Sequence, residues 1–151
     1  MFETGPCTSF SDNTRIKVEE CGRKAVILNS ERKQYIIVRY DGCVIKNQKA
    51  ADYIIRNNNV GNLIVELKGK NVEHAVDQVI ATADKIKNAN NEEILLGALI
   101  VCTQFPRINT KIQKAKDTMR KRFNAPLHVV TKNYEFFFEA VMSFKGPHKK
   151  A

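Results

Sequence analysis

Ala51-Asp52-Tyr53-Ile54-Ile55-Arg56 is followed by Asn57-Asn58-Asn59-Val60-Gly61 and then by Asn62-Leu63-Ile64-Val65-Glu66-Leu67-Lys68. The two outer segments are rich in β-branched residues, which favour strands. The middle one is rich in Asn and Gly, which tolerate turns and positive φ. The pattern predicts a hairpin centred on Asn59, in which Asp52 faces Glu66, Ile54 faces Ile64 and Arg56 faces Asn62. Alternate residues of a strand share a face. Leu63, Val65 and Leu67 therefore point into a core, and Glu66 and Lys68 share the other face. A Glu and a Lys on an otherwise apolar strand break binary patterning, as functional sites do.

Opposed Cβ atoms in a hairpin are ~4.5–5.5 Å apart. Two carboxylates that close repel, so one proton or one cation belongs between them. All-oxygen ligands suit Mg²⁺ or Mn²⁺ rather than zinc. Lys68, one pleat along, would lie beside such an ion and a water. Together these groups can activate and orient water for attack on phosphorus. The plain alternative is an exposed salt-bridge row with Asp52 at a strand start.

Upstream, residues 1–14 are polar and read as an irregular arm, and residues 15–21 fit either a short helix or a strand. Residues 25–28 and 34–40 read as strands. Asp41-Gly42 is a hairpin-turn signal, with Cys43-Val44-Ile45 as the return and Asp41 most simply a turn residue. Downstream, Val72, Ala75, Val76, Val79, Ile80, Ala83 and Ile86 recur at helical spacing over 71–89, with Asn71 as N-cap. Ile94 to Cys102 is a continuous apolar run, as in a strand buried on both faces. Thr110-x-x-Gln113 reads as a capping box that opens a second helix, with Ile112, Ala115, Met119 and Phe123 inward. Leu127–Thr131 is a further strand, and the Phe136–Phe138 segment closes the chain as a helix. Strand–helix–strand crossovers imply parallel pairing with right-handed connections. The expectation is an α/β fold: one domain over 1–151, a mixed sheet with helices on both faces.

Composition supports one core and excludes several classes. Of the 151 residues, 43% are hydrophobic, too many for a disordered chain. No apolar run reaches the ~18 residues of a membrane span, so no membrane role is expected. The first residues lack the basic start and apolar run of a secretory signal, which implies a cytoplasmic setting. Cys7, Cys21, Cys43 and Cys102 form no Cys-x-x-Cys pair, so zinc is not expected. In a reducing compartment all four read as free thiols. A nucleophilic site of Cys43 or Cys102 with His74 has no local signature, and buried free cysteine is ordinarily core filling.

The formal net charge is +9. Residues 104–124 hold seven cations and one acid, Asp117, and the tail 145–151 adds three lysines. Such a patch is the electrostatic footprint of a phosphate-rich partner. Arg107, Lys111, Lys114, Arg120 and Lys121 are the expected contacts to a nucleic-acid backbone. The plain alternative is a solvated cationic helix face.

Asp52, then Val65-Glu66-Leu67-Lys68-Gly69, then a helix bearing Gln78, resembles the PD-(D/E)xK nucleases, which have a restriction-endonuclease-like fold. The resemblance covers about residues 34–105. It implies a metal-dependent DNA endonuclease: Asp52 and Glu66 as metal ligands, the Leu67 carbonyl as a further ligand, Lys68 as the motif lysine and Gln78 as a catalytic side chain. Ala51 stands where the motif has Pro. Some members add a Glu from an N-terminal helix, for which Glu19 and Glu20 are both candidates. His74, four residues before Gln78, shares its helix face. No recognition domain is visible, so nonspecific or structure-specific cutting is expected, by a homodimer or as a subunit of a larger nuclease complex. The rival readings are a non-catalytic nucleic-acid-binding subunit on the same fold and a binding subunit for an acidic protein.

Overall fold

A computed structural model describes residues 5–67, 71–89, 94–103, 110–131 and 133–146. The elements are β1 (Thr8–Ser11), β2 (Arg15–Glu20), β3 (Arg23–Leu28), β4 (Tyr35–Arg39), β5 (Tyr53–Asn57), β6 (Gly61–Leu67), α1 (Val72–Ala89), β7 (Leu96–Cys102), α2 (Thr110–Phe123), β8 (Leu127–Thr131), β9 (Tyr134–Phe136) and α3 (Phe138–Val141).

The β5–β6 hairpin has the register expected from its sequence. Ile54 opposes Ile64 and Arg56 opposes Asn62, with Tyr53 and Val65 as the last rung. Gly61 closes the turn at φ +142°, where a Cβ would stand 2.7 Å from the Leu95 carbonyl oxygen. Six strands form one sheet in the order β1-β4-β5-β6-β7-β8. Pairing is antiparallel from β1 to β6 and parallel from β6 to β8. Three further strands, in the order β2-β3-β9, form a second mixed sheet.

Each face of the large sheet has its own core. On one face Ile54, Ile64, Ala98 and Ile100 meet Ala75, Val79 and Ala83 of α1 and Ala115 and Met119 of α2. On the other, Leu63, Val65, Leu99 and Val101 meet Ile16, Ala25 and Ile27 of the small sheet and Phe138 and Val141 of α3. Burying one large aliphatic side chain contributes about 1.5–3 kcal/mol, so β6 and β7, buried on both sides, hold the two layers together.

Several expectations are corrected. The two long helices share one face, because same-handed crossovers through successive strands β6, β7 and β8 leave both on one side. The opposite face is covered chiefly by the second sheet. Part of the supposed irregular arm is β1, paired with β4. Residues 15–21 resolve as strand: Ile16 and Val18 alternate inward, and Cys21-Gly22 turns at positive φ into β3. Residues 43–45 do not return as a strand but fold over the Tyr40 carbonyl, and β4 takes β5 as its neighbour. The Phe136–Phe138 segment splits between β9 and α3. Two of the four cysteines, Cys7 and Cys43, are joined in a disulfide, leaving Cys21 and Cys102 as thiols. The two meet because β1 runs back along β4 to the turn that follows it, a proximity that sequence spacing does not reveal. No helix among the described residues is long and apolar enough to cross a membrane.

Candidate metal and phosphodiester site

The last rung of the β5–β6 ladder is Tyr53 opposite Val65. One residue further the two side chains take over the hydrogen bonding. The Asp52 N–H donates to Glu66 Oε1 at 3.1 Å, and the Leu67 N–H donates to Asp52 Oδ2 at 2.9 Å. The expected juxtaposition of Asp52 and Glu66 is thus present, with each carboxylate stabilised by a backbone donor.

Glu66 is not outward-facing, as its patterning implied. It is 2% exposed, on the strand face that α1 covers, whereas Asp52 is half-buried at the rim. Ionised carboxylates are rarely buried unless paired or holding a metal. Lys68 and Arg107 lie outside the described residues.

Helix α1 fixes the segment that carries Asp52. Asn71 caps it as expected, its Oδ1 accepting the His74 N–H at 2.9 Å. Gln78 Nε2 donates to the Ala50 carbonyl at 3.2 Å. Thr82 Oγ1 accepts the Ala51 N–H at 2.8 Å and donates to the Gln78 carbonyl at 2.9 Å. Ala50 and Ala51 are fully buried beneath the helix, which is the physical reason for small residues there. From the other side, the N–H groups of Tyr40 and Asp41 donate to the carbonyls of Asp52 and Ala51. Thr82 escaped the sequence reading. Its signal was a second polar residue, four after Gln78, breaking the apolar helix stripe.

Gln78 is buried, and its Oε1 has no hydrogen-bond partner among the described residues. A buried acceptor with no partner among the described residues is uncommon and calls for one, such as an ordered water. His74, by contrast, is exposed. The two share a helix side only loosely: Gln78 is buried against the Ala50 segment and His74 is not.

On the opposite face of β5, the Tyr53 hydroxyl donates to the Glu19 carbonyl at 3.0 Å. Burial chiefly, then the charge of Glu20, pushes this phenol's pKa up; Arg39 opposes the shift and Asp52 adds to it. Glu20 approaches Arg39 at 3.9 Å, and Glu19 approaches Lys17 at 3.4 Å. Among the described residues no three His, Cys, Asp or Glu side chains gather around one point, so neither Glu19 nor Glu20 joins Asp52 and Glu66. A cation there would be held by two carboxylates, with backbone or amide oxygen and water completing its shell. That donor set fits Mg²⁺, which keeps several waters, and Mn²⁺.

The cations of α2 are partly compensated. Lys111 pairs with Asp77 at 2.9 Å, Arg120 with Asp117 at 3.1 Å, and Arg122 with Asp84. Lys114 and Lys121 are exposed. A groove of about 680 Å³ runs between α1 and α2, with Val76, Ile80 and Ala115 inside and Glu73, Asp77, Lys111 and Lys114 along it. Glu73 and Asp77 of α1 thus add negative charge beside the basic segment. Compared with protein-family models, with curated proteins and with solved structures, the chain gives no match in any of the three.

Proposed function

We propose that this protein is a metal-dependent phosphodiesterase acting on nucleic acid, most simply DNA, and that its fold is of restriction-endonuclease-like type. The observation that carries the reading is the Asp52–Glu66 pair: two carboxylates at a strand end, each accepting a backbone N–H from the other's segment, one of them buried. Asp52, Glu66 and the Leu67 carbonyl would hold Mg²⁺ or Mn²⁺. When bound, the ion supplies charge stabilisation at the phosphate and acidifies a water.

The chain's own groups do the rest. The backbone donors at Asp52 and Leu67 hold both carboxylates in place and aim them. The buried Gln78 Oε1 accepts a hydrogen from the attacking water and orients it. Lys68 positions or deprotonates that water. The exposed cations of α2 and Arg107 hold the phosphate backbone away from the scissile bond, which positions substrate without reading sequence. Cutting without sequence specificity follows from that division of labour, and a cytoplasmic setting and action as a homodimer or a subunit of a larger nuclease assembly are part of the same proposal.

The test offers linear and circular DNA and RNA to the wild type and to Glu66→Gln, with Mn²⁺, Mg²⁺ or EDTA. Cleavage by the wild type with metal alone, and none by the variant, is expected. Binding without cleavage under every condition would leave the non-catalytic nucleic-acid-binding reading, and neither would leave the reading as a subunit that binds an acidic protein.

A further inference from the structure

Strand β1 is the least anchored strand of the large sheet. None of its four residues is buried, and Phe10 is 53% exposed. It is held by its ladder to β4 and by the disulfide from Cys7 to Cys43, whose Cα atoms are 5.8 Å apart across 36 residues of sequence. Short edge elements with few buried apolar contacts are the first to open locally.

Both ends of the bridge lead toward the Asp52 segment. The Cys7 carbonyl accepts the Arg39 N–H at 2.9 Å. Cys43 lies in the turn wound over the Tyr40 carbonyl, which accepts the N–H groups of Cys43, Val44 and Ile45. The N–H groups of Tyr40 and Asp41 donate to the carbonyls of Asp52 and Ala51 at 2.9 and 3.1 Å. Both cysteines are partly exposed, so a reductant can reach them.

We propose that the Cys7–Cys43 disulfide is a redox latch: two-electron reduction by a dithiol releases β1 from β4 and loosens the 41–45 turn against Ala51 and Asp52. A thiolate of the dithiol attacks one sulfur, the S–S bond breaks and a mixed disulfide forms. The second thiol then displaces the remaining cysteine and leaves as a cyclic disulfide, and Cys7 and Cys43 each end with one proton. In a reducing compartment a bond of this kind is transient and acts as a sensor. The latch does not depend on the nuclease reading, because its readout is the backbone itself.

Hydrogen exchange on the full chain tests it in four samples. These are the protein oxidised with glutathione disulfide, the same protein after dithiothreitol, that sample reoxidised, and the Cys7→Ser/Cys43→Ser variant. The reporters are the amides of Arg39, Tyr40 and Asp41; those of Leu63–Val65 and Leu96–Cys102 are the internal reference. Reduction is expected to speed reporter exchange by about tenfold or more, as a local opening does, and to leave the reference unchanged. Reoxidation should restore protection, and the variant should exchange fast with or without dithiothreitol. Equal reporter exchange in oxidised and reduced protein would overturn the proposal. So would opening of the reference strands along with the reporters, or persistence of Cys7 and Cys43 as thiols after oxidation.

Discussion

At the end of β6, Glu66 is buried and its carboxylate accepts a backbone N–H from the facing segment, while along α2 six cations lie outside the buried Ile112, Ala115, Met119 and Phe123 stripe. Both regions stand out in the sequence by charge. The fold treats them in opposite ways. It encloses Glu66 beneath α1, where a low dielectric strengthens each interaction, and keeps Asp52 half-buried at the rim. It leaves the α2 cations in water and gives three of them acidic partners, two of these, Asp77 and Asp84, on α1. Exposed pairs of that kind contribute at most about 1 kcal/mol each. A charge count locates a surface, whereas a charge that the fold encloses against its desolvation cost needs a partner, and that need is what the proposed metal would meet.

The largest expected effect separates the two regions directly. At saturating DNA, Glu66→Gln should lower single-turnover cleavage by at least ~100-fold, the scale of a lost reacting-group interaction. Lys111→Ala combined with Lys114→Ala should cut at the wild-type rate under the same conditions, because its defect lies in capture. A rate loss in the lysine variant that saturation does not repair would erase the distinction.

Gln78→Met probes the middle range. The substitution keeps the volume and removes an acceptor that no group among the described residues uses, at the cost of the bond to the Ala50 carbonyl. Thermal or urea unfolding should show a loss of about 1–1.5 kcal/mol, with cleavage falling well beyond what that loss explains. Full cleavage in a folded Gln78→Met protein would make the side chain a tether for Ala50 and nothing more.

The smallest effect concerns the ion pair of Lys111 with Asp77. Asp77→Asn removes an acid that competes with phosphate for Lys111, so DNA affinity measured by anisotropy should rise and the slope of log K against log[salt] should steepen by up to about 1. Measurements in Ca²⁺ hold turnover back. An unchanged slope would show that the Lys111 position does not meet nucleic acid.

The hairpin and its register were legible because Asn57–Gly61 supplies turn residues between two β-branched runs, and because both faces of β6 must be apolar. Helix α1, its Asn71 cap and the apolar run of β7 were legible for the same local reasons. The second sheet was not. Residues 15–20 alternate over too few positions to separate strand from helix, and β3 finds its partner β9 more than a hundred residues later. Sequence pattern placed Asp52 opposite Glu66 but not the burial of Glu66, which depends on where α1 packs. The Cys7–Cys43 bridge is likewise a tertiary fact. The acids that blunt α2 lie mostly on α1, and only the packing of the two helices brings Asp77 to Lys111.

The central claim is that Asp52 and Glu66 bind one divalent ion between them, and Mn²⁺ titration followed by electron paramagnetic resonance measures that without reference to activity. Wild-type protein should remove one equivalent of Mn²⁺ from the free signal, Mg²⁺ should compete for it, and Asp52→Asn and Glu66→Gln should each abolish most of the uptake while remaining folded. Equal Mn²⁺ uptake by the wild type and both folded variants would contradict the account.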